Sequence, residues 1–377
     1  MSSLVFVGDI RVSSPLPASK LGYKVLSDLL GTPSIIGNIE IPICSEQYGA
    51  PAEKTVPFRA SEDVALDLAD SGVIAGSVAN NHATSWGIEG LLRTTDVLRG
   101  AGIAPIGAGL GWDEAIAPWR SPDGETAVLA LSTTVDMDCL AGRYRAGVAG
   151  IRVRATRIMD PRRAVEMPQA DPSVDFSMSE VDVQRVCAAI ESLKPTVPNI
   201  IVMIHWGSLF TSFVDDWQFE LAERLALAGA GLVVGCHSHT VGPVARFGET
   251  LICFGIGNWL WSPELMKSTC ALHPGQARKI LQWCRPSLAL SVGSASTGES
   301  TRARLVGLEF SLELGGVSSP MSAQDTSLLA GFIDWLSISS CRERPGWQAV
   351  NLFDAEAWTP PIGYSADAIF DSPRFHP

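Results

Sequence analysis

A chain of 377 residues with 46% hydrophobic content is long enough for one large or two moderate domains and can fill an extensive core. Only 18% of the residues are charged and the balance is −12, so no positive field of the kind a nucleic-acid binder needs covers the surface. The apolar run Leu4 to Val7 is too short for a signal-peptide core and about 18 consecutive apolar residues occur nowhere, so a cytoplasmic chain without a membrane span is expected.

Short β-branched runs alternate with helical patterns from the start. "LVFV" (4–7) precedes a helix near 20–30, "SIIGNI" (34–39) precedes one near 61–71, and "GVIAGSV" (72–78) one near 87–100. The series continues through "TAVLALS" (126–132), a helix near 179–193, "NIIVMI" (199–204), a helix near 216–229, "GLVVG" (231–235) and "TLICFGIG" (250–257). Continuous apolar strands separated by helices predict an α/β layered fold whose sheets are buried on both faces.

Two stretches break the rhythm. Residues 136–178 carry seven arginines between Arg143 and Arg163 with little periodicity, which predicts a long excursion. Residues 263–301 are rich in Ser, Pro and Gly and read as a flexible insertion. Beyond them, 302–377 reads as a strand and helix packing on the main domain of residues 1–262, with His376 incidental. The eight cysteines form no Cys-X-X-Cys pair, so reduced and mostly buried thiols are expected.

In open α/β sheets, ligands gather where loops leave the carboxyl ends of strands. Here those ends read "GDIR" (Asp9, Arg11), "GNIE" (Asn38, Glu40), "ANNH" (Asn80, Asn81, His82), "IHWG" (His205), "GCHSH" (His237, His239) and "GNW" (Asn258). Four of the six histidines fall at these points, together with carboxylates and amides, the ligand types of Zn, Mn or Fe in mixed nitrogen and oxygen sites. A lone histidine after a strand is more often structural, but five strand ends carrying the same chemistry predict a metal-type centre. If the "GCHSH" segment is extended, His237 and His239 face one side while Cys236 and Ser238 point away. A structural zinc cluster would need further closely spaced thiols, which are missing.

The succession "GD", "GN.E", "NNH", "HWG", "GCHSH" and "GNW" resembles the CapA family of PgsA-like poly-γ-glutamate capsule synthesis proteins, within the calcineurin-like metallophosphoesterase superfamily. The likeness spans about residues 4–262 and is most specific in "NNHATSWGIEGLLRTTDVLRGAGIAPIGAG" and "LAERLALAGAGLVVGCHSHTVGP". The resemblance implies a four-layered α/β sandwich of the metallophosphoesterase type holding one or two divalent ions. By the same resemblance, the ligands are Asp9, Glu40 (or Asn38 on its loop), Asn81, His205, His237 and His239, and His82 serves the departing group. Several features depart from the pattern. Arg11 stands where the phosphoesterases have a histidine ligand, and Ser85, Leu209 and Cys236 stand where CapA-like chains typically have Asp, Glu and His. The family's usual N-terminal membrane anchor is not read here.

A metal of this kind acidifies a bound water and polarises the group under attack. His82 is then the expected general acid. Arg11 is expected either to clamp a carboxylate or phosphate of the substrate or to form a structural ion pair. Asn38, Asn80, Asn258, Asp136 and Asp138 are candidates for contacting substrate, and the arginine-rich excursion is either an attractor for an anionic small molecule or a solvated surface loop. These features predict a metal-dependent hydrolase acting on a phosphoester or amide bond, with a homo-oligomer as an open expectation. The alternatives are an enzyme that forms or transfers an amide bond, as in poly-γ-glutamate or small-molecule biosynthesis, and a non-catalytic assembly subunit with a weakened site. No phosphate-cradling GxxxxGK[ST] loop is present.

Overall fold

The computed structural model describes residues 4–15, 17–31, 33–52, 58–158, 173–292, 303–311, 317–320 and 323–350. The first half alternates strand and helix: β1 (Leu4–Arg11), α1 (Pro17–Leu30), β2 (Ser34–Ile39), α2 (Asp63–Asp70), β3 (Val73–Ser77), α3 (Gly87–Gly100) and β4 (Ala104–Ile106). It continues with β5 (Trp119–Arg120), β6 (Thr126–Ser132), the hairpin β7 (Val153–Ile158) and β8 (Ser173–Met178), α4 (Glu180–Leu193), β9 (Asn199–His205), α5 (Asp216–Ala228) and β10 (Leu232–Cys236). The remainder comprises β11 (Val244–Phe247), β12 (Thr250–Cys253), β13 (Asn258–Trp261), α6 (Pro263–Leu272), α7 (Ala277–Trp283), β14 (Pro286–Val292), β15 (Ala303–Ser311), β16 (Val317–Pro320), α8 (Ala323–Cys341) and β17 (Trp347–Ala349).

Two large sheets result. One has eight strands in the order β13-β16-β15-β14-β1-β2-β3-β4, with β13 also pairing β1; the other has seven, β17-β11-β12-β10-β9-β6-β5. Side chains of β6 alternate between two cores. Val128 and Ala130 join the cluster shared with the first sheet, whereas Ala127, Leu129 and Leu131 join one with Val183, Val186 and Ile190 of α4 and Leu221 and Leu225 of α5. Helices α2 and α3 contribute Val64, Leu68, Leu91 and Leu98 to the first cluster. The architecture is therefore a four-layered α/β sandwich, and the continuous apolar strands reflect sheets covered on both faces. Each fully buried Val, Leu or Ile side chain stabilises it by about 1.5–3 kcal/mol relative to exposure.

Local signals set the element ends. Helix α5 begins with a capping box between Asp215 and Gln218 and ends at Gly229, whose φ of 117° suits glycine. At Gly8 the first strand passes so close to residue 257 that a Cβ would lie 1.9 Å from the Gly257 carbonyl oxygen. The absence of a side chain there lets Asp9 N–H donate to Gly257 O at 3.0 Å and aligns Asp9 with Asn258.

Three expectations need correction. "TLICFGIG" is not one strand: β12 ends at Cys253 in the second sheet, the chain crosses over, and β13 starts at Asn258 in the first. Residues 263–292, expected within a flexible insertion, form α6, α7 and β14, and β14 pairs antiparallel with β1 in the middle of the first sheet. The composition misled because a buried strand such as "PSLALSV" sits beside Ser- and Gly-rich chain; residues 293–302 lie outside the described set. Strands β14, β15 and β16 all come from beyond residue 262, so the first sheet is completed by the C-terminal part. The arginine-rich stretch contains the β7 and β8 hairpin. Arg152 within it binds Asp182 of α4 through Nε at 2.6 Å and Nη2 at 2.8 Å, an anchoring ion pair; Arg162, Arg163 and His376 lie outside the described residues.

Candidate metal centre

The ends of β1, β2, β9, β10 and β13, together with the turn after β3, bring the expected residues into one buried cluster between the two sheets. Asp9, Arg11, Asn38, Glu40, Asn80, His205, His237, His239 and Asn258 are all buried; Asn81 and His82 are half-buried and form the outward edge. Asn38 Nδ2 donates to Asp9 Oδ1 at 2.8 Å and stands 3.1 Å from His205 Nδ1. His205 Nε2 lies 2.9 Å from Asn81 Oδ1, 2.9 Å from His237 Nδ1 and 3.6 Å from Glu40 Oε1. On the other side, His239 Nε2 is 3.7 Å from Glu40 Oε2, and its Nδ1 is 3.0 Å from Asp9 Oδ2 and 2.9 Å from Asn258 Oδ1.

These contacts define two poles that share Glu40. Glu40, His205 and His237 present ligand atoms within 4.8 Å of one another, and so do Asp9, Glu40 and His239. Both Glu40 oxygens are buried and accept no hydrogen bond among the described residues. Burying a carboxylate in this way is costly unless a cation meets it.

The electrostatics follow from burial. Desolvation pushes the Glu40 carboxyl up to about 7 against the pull of His239 and Arg11, with the Asp9 charge adding to the rise. Asp9 is equally buried, yet the hydrogen bond from His239, with the neighbouring imidazoles and Asn38, outweighs desolvation and holds it at about 2. Burial and the neighbouring imidazoles keep His205 well below the usual histidine range, and burial followed by His239 takes His237 to about 3. The two imidazoles are therefore neutral, the form in which histidine binds metals.

The "GCHSH" segment reaches this arrangement differently from the extended geometry expected. His237 and His239 have φ of 98° and 58°, left-handed conformations uncommon outside glycine, because β10 has ended at Cys236 and the chain turns into the site. The rings therefore serve different poles. Cys236 does not point away: its thiol lies against Asp9, and burial, with the Asp9 and Glu40 charges, holds it well above the ordinary thiol range.

Other expected residues have supporting positions. Asn80 Nδ2 donates to Ile39 O at 2.8 Å, and its Oδ1 accepts from His82 N–H at 3.1 Å, so it braces two loops. Asn258 accepts at Oδ1 from His239 and donates from Nδ2 to His239 O at 3.1 Å and Cys284 O at 3.2 Å. Both amides are engaged with protein. Asp136 and Asp138 are exposed on the turn after β6 and are not among the groups that converge. Three aromatic contacts have no signature in the sequence. Trp261 lies 4.8 Å and Phe58 5.5 Å from the Arg11 guanidinium carbon, and Phe210 stacks on His239 at 5.7 Å.

The family model described as "Bacterial capsule synthesis protein PGA_cap" matches residues 3–262. The chain belongs to this family. The PGA_cap match covers every residue of the converging cluster. Among individual relatives, the chain is 23% identical over 269 residues to the PGA biosynthesis protein CapA of Bacillus subtilis, covering 69% of this chain and 63% of that protein. It is 30% identical over 191 residues to a probable polyglutamine synthesis accessory protein of Mycobacterium tuberculosis, covering 48% of this chain and 43% of that one. The chain thus spans less than two thirds of either relative's length. A solved structure described as a novel phosphatase of Mycoplasma pneumoniae aligns over 85% of this chain and 94% of its own at 12% identity, with a TM-score of 0.44. Among the described residues, no helix of this PGA_cap chain is long and apolar enough to cross a membrane.

Proposed function

We propose that this PGA_cap chain is a divalent-metal-dependent hydrolase acting on a phosphoester or amide bond of an anionic small molecule. The observation that carries the proposal is Glu40: two fully buried carboxylate oxygens that accept no hydrogen bond among the described residues, flanked by His205, His237 and His239, with Arg11 Nε only in a long ion pair with Oε2 at 4.0 Å. The donor set fits Mn, Zn or Fe, since it combines carboxylate, imidazole and amide oxygen without thiolate. Asp9, Glu40, Asn81, His205, His237 and His239 are the residues that would hold metal. A divalent ion held there would supply Lewis acidity for the substrate and for a water.

The chain's own groups do the rest. Asn38 orients Asp9 and His205 together, the kind of outer contact that fixes ligand geometry. His82 sits at the outward edge, with its backbone N–H fixed on Asn80 Oδ1 and its Nδ1 3.4 Å from Ser85 Oγ. There it would serve as general acid for the departing group once its Nε2, 3.5 Å from Arg11 Nη2, carries a proton. The Arg11 guanidinium supplies a fixed positive charge that complements an anionic substrate.

The test is hydrolysis of a chromogenic phosphodiester and of γ-glutamyl amides by chelator-treated protein, before and after Mn, Zn or Fe is restored. Metal-dependent turnover of either class supports the proposal, and the better substrate identifies the bond. An accessory role in assembling a poly-γ-glutamate-like polymer is the second reading, favoured by the printed name of the Mycobacterium relative and by an arginine where a ligand was expected. Stoichiometric metal without turnover of any substrate favours that role; formation of γ-glutamyl amides favours biosynthesis.

A further inference from the structure

We infer that the Arg11 guanidinium takes the place of a second metal ion, so that the centre binds one divalent ion, at the pole formed by Glu40, Asn81, His205 and His237. The inference rests on the metal-dependent reading above and specifies its stoichiometry. Arg11 Nη1 stands 3.1 Å from His239 Nε2. A guanidinium can only donate, so His239 Nε2 is the acceptor and its proton resides on Nδ1, facing Asp9 Oδ2 and Asn258 Oδ1. The lone pair that a metal at the Asp9, Glu40 and His239 pole would use is therefore already engaged. Arg11 Nε faces Glu40 Oε2 at 4.0 Å, and Nη2 reaches His82 Nε2 at 3.5 Å.

The guanidinium is also held in place. Arg11 is 3% exposed, with Trp261 on one side of its guanidinium and Phe58 nearby. Arg11 pairs in register with Trp261, and its carbonyl accepts from Ser262 N–H at 2.8 Å. Moving the side chain aside would vacate a packed position and abandon its aromatic contacts. Charge points the same way. Asp9 and Glu40 ionised, with Arg11, leave one net negative charge, which a single divalent ion turns to one positive. A second ion would raise it to three positive, with the new ion crowded against a guanidinium in a buried site. The other pole holds no fixed cation: Glu40 Oε1 turns toward His205 and away from Arg11, and the proton that His205 Nε2 directs at Asn81 Oδ1 and His237 Nδ1, unlike those of a guanidinium, can be given up when a metal binds.

The arrangement predicts that wild-type protein saturates at one equivalent of Mn2+ per chain, measured by elemental analysis after removal of excess ion, with the electron paramagnetic resonance spectrum of isolated Mn2+. Arg11→His, which exchanges the cation for a neutral ligand, should saturate at two equivalents with an exchange-coupled spectrum, whereas Arg11→Lys should remain at one. Far-ultraviolet circular dichroism and thermal melting establish that the variants fold. Two equivalents in the wild type would overturn the inference while leaving the metal-dependent reading intact. No bound metal would overturn both. A folded Arg11→His variant that still binds one equivalent would show that the guanidinium is not what excludes the second ion. If that variant does not fold, the wild-type stoichiometry alone decides.

Discussion

His205 Nε2 and His237 Nδ1 lie 2.9 Å apart, one at the end of β9 and the other just past β10. The adjacent parallel strands place His205 opposite Cys236, so the turn immediately after Cys236 aims the second imidazole at the first. Replacing either histidine by alanine should weaken metal binding beyond the about 10- to 100-fold that losing an outer partner costs. Isothermal titration with Mn2+ or Zn2+ measures the loss, and metal-dependent turnover should vanish with it. Unchanged metal affinity in both variants would refute their assignment as ligands.

His82 is expected to behave differently, because its side chain retains 17% exposure at the edge of the cluster. His82→Ala should keep its metal content while turnover falls by about 10²- to 10⁴-fold, the range typical of a lost acid or base. Loss of the metal in that variant would instead make His82 a ligand.

Gly8 permits the close approach of β1 to residue 257. Gly8→Ala would place a methyl group 1.9 Å from a backbone oxygen, so the strands must separate just before Asp9. Destabilisation of at least about 1–3 kcal/mol is expected by chemical denaturation, together with weaker metal binding. A neutral substitution would show that this strand contact does not position Asp9.

The Arg152 and Asp182 pair should make a pH-dependent contribution away from the centre. Burial raises the Asp182 carboxyl, but the hydrogen bonds from Arg152 and Ser179 more than offset it, leaving a net lowering. A carboxyl depressed on folding stabilises the protein above its unfolded pKa, and that contribution fades as the pH falls through the folded value. Because Arg152 is about half exposed, Asp182→Asn should cost only about 1 kcal/mol at neutral pH. The gap from wild type in denaturation midpoints should close in acid; a gap independent of pH would mean that packing, not charge, is responsible.

Much of the centre was legible because its chemistry is carried by polar residues directly after apolar strands. That pattern gathered Asp9, Glu40, Asn81, His205, His237 and His239 together with Arg11, Asn38, Asn80, His82 and Asn258, and only the resemblance to the CapA family singled out the six as expected ligands. The sequence did not reveal that the strand ending at Cys253 and the residues from Asn258 belong to different sheets, since a crossover of four residues leaves the apolar run almost unbroken. The aromatic surroundings of Arg11 were equally hidden. Phe58 and Trp261 approach it only through tertiary packing and strand register, which local periodicity does not encode. Nor does spacing announce the left-handed turns at His237 and His239, where alternation suggested an extended segment.

Anomalous diffraction from crystals equilibrated with Mn2+ tests the central claim most directly, because it locates the ion without reference to any substrate. The expected result is a peak in contact with Glu40, Asn81, His205 and His237. Crystals that show no peak among these residues at saturating Mn2+, with Zn2+ and Fe2+ equally without effect, would contradict the assignment of a metal-dependent centre.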